Sequence, residues 1–123
     1  MANEITLSVN LTAAKNGATV TGTVSQVSTM AGDQMISNVQ VIGTASEAIV
    51  VGDVTTAGYV FFKNLDATNF VSISVLATAV AATCFAKLLP GDVTIIKAQG
   101  VSPTLTAIAD TGAVNLQVIA IEL

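Results

Sequence analysis

Residues 58–75, GYVFFKNLDATNFVSISV, decide how this chain folds. Tyr59, Val60, Phe61 and Phe62 form one run of strong strand formers, and Val71, Ile73 and Val75, alternating with Ser72 and Ser74, form a second. Between them lies a polar break at Asn64, Asp66 and Asn69, residue types whose side chains hydrogen-bond nearby backbone in turns. The pattern predicts the central hairpin of an all-β domain. Aromatic side chains bury the largest area per residue, so Tyr59 to Phe62 is expected at the middle of the core.

Towards the N-terminus, Ile5, Leu7, Val9 and Leu11 alternate with Thr6, Ser8, Asn10 and Thr12, which predicts a strand with one face on a core and one in water. Asn16-Gly17 follows, a pair that accepts the positive φ angles of a type I′ turn. A return strand over 19–27 is expected, with Val20, Gly22 and Val24 on one side and Thr19, Thr21 and Thr23 on the other. Val27 breaks that period and predicts a bulge near Ser25 and Gln26. A loop at 30–33, a short strand at 35–42 and a buried strand at 45–51 come next.

Towards the C-terminus, 76–85 is rich in Ala, and its flanks favour a hairpin turning near 79–82 over a short helix. Leu89-Pro90-Gly91-Asp92 has the chemistry of a tight turn: Pro presets φ at the second position and Gly accepts a positive φ at the third. A strand is expected at 93–97, a loop at 99–103 and weak pairing at 105–109. In the last run, 113–123, Leu116, Val118 and Ala120 share one face while Ile119, Ile121 and Leu123 make the other apolar as well, so that strand should be covered on both sides. Eight to ten short antiparallel strands read as a single-domain β-sandwich over 1–123, of jelly-roll type, with residues 1–12 as an extended N-terminal arm.

Composition narrows the function classes. The chain has 123 residues and a net charge of −4; charged residues are 10% and apolar residues 52% of it. Average soluble proteins carry about 25% charged residues, so much of this surface must be small, hydroxylic or apolar, and association with other subunits is expected. Lys15, Lys63, Lys87 and Lys97 are scattered and there is no Arg, which argues against nucleic acid. The opening residues have neither the basic nor the apolar region of a signal peptide, so synthesis in the cytoplasm is expected. Residues 67–86 are twenty without a charge, but their alternation and hydroxyls favour strand over a membrane span.

Chemistry is sparse. The chain has no His, so its single cysteine, Cys84, lacks the usual imidazole partner and is expected to be a small buried hydrophobe. Asp33, Asp53, Asp66, Asp92 and Asp110 stand in turns, where short carboxylates cap backbone donors; calcium ligation would call for an Asp-x-Asp run that is not present. No metal, cofactor or phosphate-cradling glycine pattern is predicted. With no Trp and only Tyr59 as a stacking platform, glycan binding is disfavoured.

Certain phrases carry a resemblance. Asn38-Val39-Gln40-Val41-Ile42-Gly43-Thr44, Glu47-Ala48, Val51-Gly52-Asp53, Gly58-Tyr59, Phe62-Lys63-Asn64-Leu65-Asp66, Lys87-Leu88 and Pro90-Gly91-Asp92 resemble small structural proteins of tailed bacteriophages, over roughly 38–97. That resemblance implies a non-enzymatic virion component of the capsid cement or decoration type. It would bind the major capsid protein and itself, as a homo-oligomer, with a trimer favoured over a dimer. The alternative is a tail-associated or fibre-base module. The Ala-rich 76–82 departs from the family's more polar pattern. Terminal strands are free to reach a neighbour, so Ile5, Leu7, Val9, Leu11, Ile119, Ile121 and Leu123 are the candidate interface residues.

Overall fold

The computed structural model describes residues 4–98 and 105–122. Ten strands follow one another: β1 (Ile5–Lys15), β2 (Ala18–Ser28), β3 (Met35–Ile42), β4 (Glu47–Ala48), β5 (Ala57–Asn64), β6 (Val71–Ser74), β7 (Ala86–Leu88), β8 (Val93–Lys97), β9 (Thr106–Ala109) and β10 (Val114–Glu122). No helix occurs among the described residues. The chain divides into two compact units, Met1–Ala31 and Gly32–Leu123, where the sequence pattern predicts one sandwich with an arm at 1–12.

The larger unit is a sandwich of two four-stranded antiparallel sheets, ordered β3-β10-β5-β8 and β4-β9-β6-β7. Its connectivity follows from one rule. β6 pairs β7, β5 pairs β8, β4 pairs β9 and β3 pairs β10, which is one long antiparallel ribbon whose turn lies between β6 and β7. Rolling that ribbon adds two more pairings, β10 with β5 and β9 with β6, and closes both layers. This is the jelly-roll arrangement.

Side chains from both layers meet in one core: Ile42, Val60, Phe62, Val114, Leu116 and Val118 from the first sheet, and Val71, Ile73, Leu88, Ala107 and Ala109 from the second. Phe62 is fully buried and is the largest side chain of that core. Burial of a side chain this size contributes roughly 1.5–3 kcal/mol.

Several expectations change here. Residues 58–75 do not form a hairpin: β5 and β6 lie in different sheets, and the polar break is the corner where the chain crosses between them. The reason is the side chain of Asn64, fully buried at the end of β5. Its Nδ2 donates to the carbonyls of Asn69 and Leu88, both at 2.9 Å, and its Oδ1 accepts from the Asp66 backbone at 2.8 Å. Asp66 Oδ2 then accepts from the backbone of Thr68 and Asn69, at 2.9 and 2.6 Å. These bonds take the place of a ladder to β5 and turn the chain onto the other layer.

The 105–109 segment is not weakly paired. β9 lies between β4 and β6, because its small inward side chains, Ala107 and Ala109, let the layers close over it. The expected strand at 45–51 shortens to Glu47–Ala48, since Val50 donates to the Gln40 side chain at 2.9 Å instead of to a ladder. The 75–85 segment does link an antiparallel pair, β6 and β7, but carries no strand of its own. It makes a tight turn in which Thr83 and Cys84 donate to the Val80 carbonyl. The turn at 89–92 forms as predicted: Gly91 has φ +83° and Asp92 donates to the Leu89 carbonyl at 2.9 Å. The loop expected at 99–103 lies outside the described residues.

The smaller unit is the hairpin β1–β2, eleven residues on each strand. Asn16 and Gly17 have φ of +51° and +82°, both positive as the type I′ turn demands. Pairing runs without a shift from Ile5↔Ser28 to Lys15↔Ala18, so there is no bulge at Ser25 and Gln26. Val27 sits opposite Thr6 on the hydroxyl-rich side, an exposed apolar residue rather than a break in register.

Candidate interaction surfaces

The hairpin is two-faced. On one side lie Ile5, Leu7, Val9, Leu11 and Ala13, paired with Ser28, Gln26, Val24, Gly22 and Val20. On the other lie Thr6, Ser8, Asn10 and Thr12, paired with Val27, Ser25, Thr23 and Thr21. The predicted alternation is present, but the expected burial is not. Ile5 is buried and Leu7 half-buried, whereas Val9 and Leu11 are exposed, Leu11 by 69% and its neighbour Val20 by 70%. A two-stranded ribbon has no second layer of its own with which to cover an apolar face. Leu11 and Gly22 share a row, and the missing side chain leaves a hollow lined by Val9, Leu11, Gly22, Thr23 and Val24.

A second apolar surface lies on the outer side of the sheet β3-β10-β5-β8. Its residues stand in rows across the four strands: Met35–Ile121–Tyr59–Lys97, Ser37–Ile119–Phe61–Ile95 and Val39–Gln117–Lys63–Val93. The middle strands keep Ile119, Ile121 and Phe61 half-buried, while the edge strands leave Met35 exposed by 62% and Val41 by 61%. Lys97 Nζ lies 5.8 Å from the centre of the Tyr59 ring, within cation–π reach.

The outer side of the other sheet is closed by its own loop. Ser72, Ser74 and Thr106 are buried there. Thr106 Oγ1 donates to the Leu76 carbonyl at 2.7 Å, Leu76 donates to Ser74 Oγ at 3.0 Å, and Ala79 donates to Ser46 Oγ at 2.7 Å. The Ala-rich stretch is thus tied over this face by its backbone at Leu76 and Ala79, and of its alanines Ala79 is the buried one.

The structure therefore gathers Ile5, Leu7, Val9 and Leu11 on the hairpin face, and Ile119 and Ile121 on the sheet face; Leu123 lies outside the described residues. Val20 and Val24, and the sheet residues Met35, Val39, Val41, Phe61, Val93 and Ile95, belong to the same surfaces and were not singled out from sequence. A signal existed for β3, where Met35, Val39 and Val41 alternate with Ile36 and Ile42, apolar on both faces.

Titratable groups do structural work. Glu122 Oε1 accepts from Thr55 Oγ1 at 2.9 Å and its Oε2 from the backbone of Asp33 and Gln34, both at 3.2 Å, which ties the end of β10 to the turn before β3. The Thr55 hydroxyl and those amides hold its carboxyl below the ordinary glutamate range. The amides of Asn69 and Thr68 do the same for Asp66. Cys84 is half-buried rather than enclosed, on a loop that faces solvent, and burial pushes its thiol up, away from thiolate chemistry. Among the described residues no three of Asp, Glu and Cys gather as a metal site, and no helix is long and apolar enough to cross a membrane.

Comparison with protein-family models, curated proteins and solved structures finds no match to this chain.

Proposed function

We propose that this chain is a non-enzymatic structural protein of a phage particle that binds the outside of the capsid and itself, as cement and decoration proteins do. The observation that carries this reading is the hairpin's apolar face, on which Val9, Leu11, Val20 and Val24 stay exposed. Jelly rolls host many functions, so the fold alone assigns none. An adhesive role is supported by the packed sandwich, by the low content of charge to desolvate and by exposed apolar surface of the kind that another subunit covers. The phage phrases at 38–97 supply the kind of assembly.

The test is immunogold labelling, with antibody to the full chain, of purified particles from a phage that encodes it. Label spread over the shell is the expected result. Label confined to the tail would transfer the role to a tail module, and particles free of the protein would overturn a virion role altogether.

A further inference from the structure

The apolar face of the hairpin has a size pattern that names its own partner. Row by row, Val9 stands beside Val24, Leu11 beside Gly22 and Ala13 beside Val20. A large residue shares its row with a small one in two successive rows, and the large one changes strand between them. A side chain added at Gly22 would meet nothing within 4 Å, so the hollow beside Leu11 is open above the sheet.

We propose that the hairpin pairs face to face with the hairpin of a second copy of this chain, about a two-fold axis that runs along the strands midway between β1 and β2. Rotation about that axis keeps the rows in step and exchanges the strands. Leu11 of each copy then enters the hollow over Gly22 of the other, Ala13 lies against the other copy's Val20, and Val9 against its Val24. Two layers packed in this aligned way form a small four-stranded sandwich, which supplies the second apolar face that an isolated hairpin lacks.

Size and charge agree with this occupant. The exposed parts of Val9, Leu11, Val20 and Val24, with Ala13 and Ala18, offer on the order of 500 Å² per arm, so a pair covers at most about 1,000 Å², the lower limit for a specific interface. The face carries no carboxylate. Its one charge, Lys15 at the tip, lies opposite Ala18 of the other copy, so the two lysines do not meet. An unrelated partner would have to match this row pattern by chance; a second copy matches it by symmetry.

The pairing gives structural form to the self-association in the proposed function, and it stands or falls separately from the particle. Analytical ultracentrifugation of the full chain and its variants tests it. The native chain should sediment at twice 12.4 kDa. Gly22→Leu fills the hollow without a clash in its own chain, and should weaken the dimer at least ~30-fold, as loss of a central anchor does. The exchanged variant Leu11→Gly with Gly22→Leu restores one large and one small residue to the row and should recover the dimer. Circular dichroism checks that each variant keeps its strands. A monomeric native chain, a trimer mass, or failure of the exchanged variant to recover would overturn the pairing. A dimer absent from phage particles would leave the pairing intact and overturn the virion role instead.

Discussion

β1 and β10 look alike in sequence and end in opposite environments. Both place an apolar residue at every second position, in ITLSVNL at 5–11 and VNLQVIAI at 114–121, the latter with Ile119 and Ile121 apolar on its second face as well. β10 is hydrogen-bonded on both sides, to β3 and β5, and faces a second sheet; Val114, Leu116, Val118 and Ala120 are all fully buried. β1 has one neighbour, β2, and its matching residues Val9 and Leu11 stay exposed. Alternation therefore fixes which way side chains point, while burial depends on how many strands flank the ribbon and whether a second layer lies opposite.

The sharpest way to break that comparison is to truncate one large residue in each region. Phe62→Ala should cost the sandwich about 3–5 kcal/mol, because the removed ring leaves a cavity in a packed interior. Leu11→Ala should leave the sandwich's unfolding midpoint in urea within about 0.5 kcal/mol of the native value, as for other exposed sites. Equal losses would mean that the arm and the sandwich unfold as one body, and the contrast would collapse.

A smaller effect is expected at the corner that turns β5 away from β6. Asn64→Leu keeps the branched outline of the side chain but strands the carbonyls of Asn69 and Leu88 and the amide of Asp66, at a cost of roughly 2–4 kcal/mol. Hydrogen exchange should show the loss at 64–69 and 86–88 before the hairpin changes. Protection lost first in the hairpin would show that the corner is not what holds the layers together.

The smallest effect is on the pH dependence of the sandwich. The carboxyls of Asp66 and Glu122 are held below their ordinary values of 3.8 and 4.5 by hydrogen bonds that only the folded sandwich offers. A group with a depressed folded pKa stabilises above its unfolded pKa and loses that contribution as pH falls through the folded one. Sandwich stability should thus be level above about pH 5.5 and decline below about pH 4.5. Asp66→Asn combined with Glu122→Gln should flatten that decline in a urea titration, whereas a slope unchanged in the double variant would place the acid response elsewhere.

Much of this was legible from residue order. The turn at Asn16-Gly17, the turn at Pro90-Gly91 and the bounds of β3 and β8 follow from local chemistry, because positive φ and strand period are short-range properties. Of the candidate interface, the alternation of Ile5, Leu7, Val9 and Leu11 was readable; their partners Val20, Gly22 and Val24 were readable as a face but not as a contact surface.

Sequence by itself determined an all-β chain, the positions of most strands, and the sidedness of each. Only the tertiary structure decided that 58–75 is a crossing between layers, that β9 is central rather than marginal, and that the hairpin face stays open while the Ala-rich loop closes the sheet beneath it. The physical reason is range. Backbone torsions and side-chain alternation are set within a few residues, but which strand lies beside or above another depends on partners like Asn64 and Leu88, or Leu76 and Thr106, that sit 24 and 30 residues apart.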